Sequence, residues 1–319
     1  MNSLQEIATR LRTGGHTLIT SHILPDGDSI GSLLGLGLAL REAGCKVTMF
    51  SVDGVPARYS FLKKVELIQS HELPGNGYSH VVALDCSDHL RIWPIWDKIK
   101  DLFIINIDHH PTNQNYGSLN YVDTKAGATG EIVYFLLQEL GISPTIEVAE
   151  ALYVAIATDT GSFKFESTSA RTHRVTAKLF EAGVKPQDIS SLVFDQRSRE
   201  AIYILRAALM SLRFSPDGRI AWMILNEKDM EESGARDEHL EGAVNFAKNI
   251  EGVDVGLLFR AKEDGTVKVG FRSHNIDVGQ VAHSLGGGGH ARAAGCSLES
   301  SPQDAVNTVM SALEPLMRD

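Results

Sequence analysis

Through the first half of the chain, runs of apolar and β-branched residues end abruptly in acidic or imidazole side chains. Residues 102–107 (LFIINI) run into Asp108-His109-His110, and residues 81–84 (VVAL) run into Asp85. Residues 17–20 (TLIT) lead to His22, Asp26 and Asp28, and residues 154–157 (VAIA) lead to Asp159. An unbroken apolar run bounded by polar residues is the pattern of a strand buried on both faces, and such strands deliver reactive groups at their carboxyl ends. In chain order the pattern predicts a short amphipathic helix over residues 2–14 and strands over 17–21, 46–51, 80–84 and 102–107. It predicts helices over 128–140 and 146–158, with Ile132, Leu136, Leu152 and Ile156 among their apolar positions. Another helix follows the first strand in SLLGLGLALREAG, with Asp28 or Ser29 as its N-cap and Gly44 as its C-cap.

Strands alternating with helices predict βαβ units, hence an α/β domain with a mostly parallel, doubly wound sheet over residues 1–184. Residues 185–200 (KPQDISSLVFDQRSRE) loosen and read as a linker with some helix. Residues 201–319 read as a smaller α+β domain. A helix there runs into a strand over 204–214, strands follow at 220–225, 253–260 and 266–273, and helices at 276–284 and 302–317. The glycine run at 286–289 reads as a loop.

Composition sharpens this picture. At 319 residues, 43% hydrophobic and 22% charged, the chain has the length of two ordinary soluble domains. No apolar stretch approaches the ~20 residues that span a bilayer, and the N-terminus lacks a signal peptide's apolar core. Cys45, Cys86 and Cys296 are odd in number and widely spaced, as expected in a reducing cytosol. A cytoplasmic protein without membrane association is the expectation. The net charge of −10 and the lack of a Lys/Arg stripe disfavour long nucleic acids, duplexes included. A small anionic ligand held by metal ions and a few cations remains compatible with it.

The acidic and imidazole groups have the composition of a divalent metal site. Hard carboxylate oxygens with occasional imidazole suit Mn²⁺ or Mg²⁺, and the absence of thiolates argues against structural zinc. In His22-x3-Asp26-x-Asp28 the two carboxylates could serve different ions, although a PDGD turn with a helix cap has the same letters. Asp85 competes with Asp88 for a ligand's role, and Asp159 in DTG could be an ordinary turn residue. Asp108-His109-His110 is more specific, because burying that much polarity requires partners. Gly286-Gly287-Gly288-Gly289-His290 lets backbone approach a ligand closely, and Arg272 of Phe271-Arg272-Ser273 could fork onto a phosphate.

Taken in order, HxxxDxD, Asp85, Asp-His-His and Asp159, followed by GGGGHARAAG, resemble the DHH phosphoesterase superfamily with its DHH-associated C-terminal domain. The resemblance runs from about residue 15 to 315. Within the superfamily, the two-domain length and the FRS…GGGGH pairing look like the nanoRNases that also act as 3′-phosphoadenosine 5′-phosphate phosphatases. The resemblance implies two divalent ions, Mn²⁺ first, with Mg²⁺ and Co²⁺ as alternatives. His22 and Asp26 would bind one ion, Asp28, His109 and Asp159 the other, and Asp85 would bridge. His110 would contact the scissile phosphate, with Asp108 orienting a neighbouring imidazole. Arg272, Ser273, Gly288, Gly289 and His290 would hold substrate phosphate.

The activity so implied is hydrolysis of short RNA or DNA oligonucleotides to nucleoside monophosphates, and of adenosine bisphosphate to AMP. Readings with related chemistry are a cyclic-dinucleotide phosphodiesterase, a RecJ-like single-strand exonuclease and a DHH-type pyrophosphatase. A non-catalytic nucleotide sensor would be expected to lack a ligand, whereas all six candidates are present. A homodimer is left open.

Overall fold

The computed structural model describes residues 2–75, 77–93 and 95–317, which gather into two compact units divided between Gln196 and Arg197. The first comprises α1 (Leu4–Arg12), β1 (His16–Thr20), α2 (Gly27–Glu42), β2 (Lys46–Phe50), β3 (Ile68–Gln69), β4 (His80–Leu84) and α3 (Trp96–Ile99). It continues with β5 (Phe103–Asp108), β6 (Leu119–Val122), α4 (Thr129–Leu140), α5 (Ile146–Asp159), α6 (Ala170–Glu181) and α7 (Pro186–Ser190). The strands make one parallel sheet in the order β3-β2-β1-β4-β5-β6.

Alternate side chains of the central strands enter two different cores. Ile19, Val82, Leu84, Ile105 and Ile107 pack with α1, α2, α4 and α5. Leu18, Val81, Ala83 and Ile104 pack with Ile92, Ile95 and Ile99 on the other face. Burial on both faces is why these strands are apolar throughout rather than alternating. The strand order reverses between β1 and β4, since β2 and β3 lie to one side and β5 and β6 to the other. A crevice outside the carboxyl ends of those two strands is the expected ligand site of such a sheet.

Helix α2 starts earlier than its pattern predicts. Its N-cap is Asp26, whose carboxylate accepts from the Ser29 amide at 3.0 Å while the Ser29 hydroxyl accepts from the Asp26 amide at 2.9 Å. Two carboxylates in PDGD compete for one cap, and Asp28 is withdrawn from the competition because it binds elsewhere. Gly44, one residue past the Ala43 cap, takes a φ of 84° and closes the helix. Asp159 ends α5, in agreement with the helix expected over 146–158, so the apolar run before it is helical where those before Asp85 and Asp108 are strands. Residues 148–157 of α5 are all buried apart from the half-buried Glu150, so its last apolar stretch has the continuity of a buried strand.

β3, β6 and α6 carry no strong hydrophobic pattern in the sequence. Residues 186–195 fold with the first unit as α7 and a π-helical turn, with Ile189 and Val193 in its core.

The second unit comprises α8 (Arg199–Met210), β7 (Arg213–Phe214), β8 (Ile220–Leu225), α9 (Glu227–Ser233), α10 (Ala243–Lys248) and β9 (Val255–Ala261). It ends with β10 (Thr266–Ser273), α11 (Val278–Ser284), β11 (Gly288–His290), β12 (Ala293–Glu299) and α12 (Pro302–Leu313). Its sheet has the order β11-β12-β10-β9-β8-β7, parallel only between β8 and β9. Part of the glycine run is therefore strand: Gly288–His290 pairs with residues 293–295 of β12. Among the described residues no helix is long and apolar enough to cross a membrane.

Candidate metal centre

Eight predicted residues of the first unit meet at the carboxyl ends of β1, β4 and β5 and at the facing ends of α2 and α5. Seven of them form three overlapping groups: His22, Asp26 and Asp85; Asp28, His109 and Asp159; and Asp85, His109 and His110. Within each group, ligand atoms lie within 4.8 Å of one another.

Asp85 stands between the groups. One carboxylate oxygen lies 3.5 Å from His22 Nε2, and the other lies 3.7 Å from His109 Nε2. The residue follows β4 directly, is 1% exposed and has a φ of 56°, a left-handed conformation that costs a non-glycine residue energy and clusters at functional sites.

Each imidazole is oriented by its other nitrogen. His22 Nδ1 lies 2.6 Å from the Ile23 carbonyl and His109 Nδ1 lies 3.2 Å from the Ala126 carbonyl. A carbonyl can only accept, so these contacts place the proton on Nδ1 and a lone pair on Nε2. His109 Nε2 is buried without a hydrogen-bond partner. Around it lie Asp159 Oδ2 at 3.3 Å, Asp85 Oδ1 at 3.7 Å and Asp28 Oδ2 at 3.8 Å. A buried lone pair facing three carboxylates is a poor arrangement unless a cation lies among them. By donor chemistry and by this orphaned nitrogen, the residues fit divalent metal ions.

Asp28 is held by the N-terminus of α4. Its two oxygens accept from the Thr129 amide at 2.6 Å and the Gly130 amide at 2.9 Å, and the Ser32 hydroxyl donates at 2.9 Å. The Thr129 hydroxyl donates to Asp85 Oδ1 at 3.1 Å. Sequence reasoning missed Thr129 and Gly130, which sit in an unremarkable ATGE start of a helix.

Asp108 is fully buried and acts on the histidines rather than joining a ligand group. Its Oδ1 accepts from His110 Nδ1 and from the His109 amide, each at 2.8 Å, while Oδ2 accepts from Asn113 Nδ2 at 2.6 Å. Asn113 also donates to Asn106 Oδ1 at 2.9 Å. Asn106, a fully buried amide inside an otherwise apolar strand, is the sequence signal of this network.

Crowding sets the protonation of the site. Burial first, then the charges of Asp85 and Asp159, raises the Asp28 carboxyl well above the usual range. Burial and Asp85 push Asp159 up to about 6 against the pull of His109. Burial also works to raise Asp85, but His22, His109 and His110 hold it below the ordinary carboxylate range. Burial opposes charge on His110, yet Asp108 and Asp85 lift it to about 9.

The remaining predicted residues lie in the second unit. Arg272 is half-buried near the end of β10, its Nη1 donating to its own Phe271 carbonyl at 2.9 Å. Burial and the Arg272 charge lower the pKa of Lys248, so two cations concentrate there; Lys248 was not anticipated. The Ser273 hydroxyl is buried and donates to the Ile276 carbonyl, which makes it a brace of its turn. Gly289 has a φ of 140°, and a Cβ on it would meet Ala294 Cα at 2.5 Å, so local backbone demands that glycine. Gly288 is exposed, and a Cβ there would meet nothing within 4 Å; His290 is exposed beside it.

Residues 16–156 match the DHH family, N-terminal domain, and residues 220–319 match the DHHA1 domain. A Thermus thermophilus protein named bifunctional oligoribonuclease and PAP phosphatase NrnA is 33% identical, over 94% of this chain and 89% of the relative. An exopolyphosphatase-related protein from Bacteroides fragilis superposes with a TM-score of 0.92 at 23% identity, covering 99% of this chain and 98% of that one. RecJ from Thermus thermophilus, solved with Mn²⁺, superposes with a TM-score of 0.53 at 15% identity, covering 98% of this chain and 55% of that one.

Proposed function

Since the chain belongs to the DHH family and carries a DHHA1 domain, we propose that it is a metal-dependent phosphoesterase that cleaves short oligonucleotides to nucleoside monophosphates and 3′-phosphoadenosine 5′-phosphate to AMP. The observation that carries this reading is Asp85, which turns one carboxylate oxygen toward each of two Asp/His groups. His22 and Asp26 would hold one divalent ion, Asp28, His109 and Asp159 a second, and Asp85 would be shared. Mn²⁺ is the ion we favour, with Mg²⁺ and Co²⁺ as alternatives. A pair of such ions supplies an activated water and neutralises charge on a phosphoryl group.

The chain's own residues supply the rest. Asp108 keeps the His110 Nδ1 proton engaged and so orients the imidazole that would contact a phosphate oxygen. The raised pKa gives that imidazole a proton to hold against developing negative charge. Thr129 and Gly130 fix Asp28, so its lone pairs point one way throughout turnover. Arg272, Lys248 and His290, with the open backbone at Gly288, form the phosphate-holding group of the DHHA1 unit. The acidic surface and the absence of a basic stripe suit a short substrate over a long strand, in a reducing cytosolic setting that leaves Cys45, Cys86 and Cys296 free.

The test is a chromatographic time course with Mn²⁺ on pApA, a pentanucleotide, a long single strand, cyclic di-AMP, 3′-phosphoadenosine 5′-phosphate and pyrophosphate. Fast AMP release from pApA and the bisphosphate, with slow loss of the long strand, is the expected result. Preference for the long strand or the cyclic dinucleotide would replace this reading with one of its relatives, and no hydrolysis with metal bound would favour a nucleotide sensor.

A further inference from the structure

The loop after β4 carries a second constellation that the metal groups do not use. His89–Ile92 forms a single 3-10 turn, capped by Asp88, whose carboxylate accepts from the Leu90 amide at 2.9 Å. One side of the turn is anchored. Ile92 is fully buried, and the His89 ring packs against Trp96 at 4.8 Å and Tyr116 at 6.1 Å between centroids. The other side is open: Leu90 is 61% exposed and Trp93 62%. Side chains three apart eclipse in a 3-10 turn, and the Trp93 amide donates to the Leu90 carbonyl at 3.2 Å. Two large apolar side chains are thus exposed at positions three apart, joined by a backbone hydrogen bond.

Arg91 links this turn to the metal centre. Its carbonyl accepts from the Ile23 amide at 2.8 Å, tying the turn to the loop that carries His22. Arg91 is thus one backbone hydrogen bond from the residue that follows His22. Among the described residues its half-buried guanidinium has no carboxylate or carbonyl partner, although acidic groups crowd the neighbouring crevice. An unpaired guanidinium beside a metal centre suits a phosphate oxygen, and an exposed indole backed by a leucine suits the flat face of a base.

We propose that the Asp88–Trp93 turn binds the nucleotide part of the substrate, with Arg91 taking a phosphate oxygen and Trp93, supported by Leu90, stacking on a nucleobase. This rests on the nucleotide reading of the metal centre and adds a base-recognition element within the DHH unit itself. It also separates nucleotides from simple phosphate esters, because pyrophosphate and other base-free substrates gain nothing from the indole.

The test compares Michaelis constants on pApA and on an abasic analogue with the same sugar–phosphate backbone. Trp93→Ala raises KM for pApA about tenfold, within the range of alanine substitutions at stacking aromatics, and raises it for the abasic analogue much less. Trp93→Phe recovers most of the loss. Arg91→Ala raises KM for both substrates, and Arg91→Lys recovers part of that. Equal changes on the two substrates in Trp93→Ala, or none on either, would overturn the stacking role. A fall in kcat without a change in KM in the Arg91 variants would reduce that residue to a support for His22.

A readout independent of turnover is tryptophan fluorescence on titration with AMP. Quenching in the wild type that is lost in Trp93→Phe supports the contact, and its persistence in that variant overturns it. If the wild type cleaves no nucleotide, the functional reading fails by itself. If it cleaves pApA and the Trp93 variants behave like the wild type, only the stacking turn fails.

Discussion

At the scale of single residues, the two central aspartates have different work although both are buried and both follow apolar strands. Among the described residues Asp85 has no amide donor on its carboxylate, and it faces His22, His109 and the Thr129 hydroxyl, as a shared ligand should. Asp108 stands outside the three ligand groups, and its oxygens accept from His110, the His109 amide and Asn113, so it orients imidazoles. Asp85→Ala should therefore remove both turnover and tight Mn²⁺ binding, read by kinetics and by metal content after gel filtration. Near wild-type rates at saturating Mn²⁺ would contradict the shared role. Asp108→Asn should keep the metal and lower kcat by roughly 10–100-fold, the usual cost of losing an outer partner of a site histidine. Loss of bound Mn²⁺ in that variant would mean that Asp108 is itself a ligand. Residue types and their order, together with the family resemblance, point to His22, Asp26, Asp28, Asp85, His109 and Asp159 as candidate ligands, and the structure brings them together. Thr129, Asn113 and Lys248 could not be found that way, because their roles come from spatial neighbours that ordinary helix and loop sequences do not announce.

At the scale of elements, the centre depends on how closely α2 approaches α5. Gly27, Gly31 and Gly35 recur every four residues along one side of α2. A Cβ on them would meet Thr158 at 2.4 Å, the Ala151 carbonyl at 2.4 Å and Leu152 at 2.7 Å. The two helices run antiparallel, and this contact sets the start of α2, with Asp26 and Asp28, beside the end of α5, with Asp159. In an isolated helix Gly→Ala would gain about 1 kcal/mol. At Gly31 a methyl would meet backbone, which cannot rotate away, and overpacking of about 1–3 kcal/mol prevails. Gly31→Ala should lower the melting temperature and weaken Mn²⁺ binding together, because parting the helices separates Asp28 from Asp159. Unchanged stability and unchanged Mn²⁺ affinity in calorimetry would show that the spacing is not critical.

The α/β alternation was readable because the strands are buried on both faces. The glycine spacing of α2 was equally visible, but its meaning required the partner helix. The glycine run at 286–289 reads as a loop because glycine has low strand propensity, and pairing of Gly288–His290 with β12 overrides it.

At the scale of the molecule, eight acidic and imidazole groups are concentrated in one crevice, so metal and protons compete for the stability of the first unit. Asp159 has its folded pKa raised to about 6, and Asp28 is raised well above its ordinary value. A carboxyl raised in the folded state binds its proton more tightly there than in the unfolded chain. Its contribution is complete below the ordinary carboxylate range and is lost as pH rises through the folded pKa. Asp85 is shifted the opposite way, so its contribution is lost only as pH falls below the ordinary carboxylate range and does not mask this window. The metal-free chain should therefore lose stability from about pH 4 to above pH 6, as these carboxyls ionise against one another. Bound Mn²⁺ neutralises the same groups, and a ligand present at about 100 times its Kd adds about 2.7 kcal/mol. The stabilisation by Mn²⁺ should be small at pH 5 and grow steadily toward pH 7.5, in differential scanning calorimetry of the full chain with chelator or with Mn²⁺. The unfolding event assigned to the first unit should move most, since all the candidate ligands belong to it. A gain from Mn²⁺ that stays constant with pH would mean that the ions bind outside this crevice.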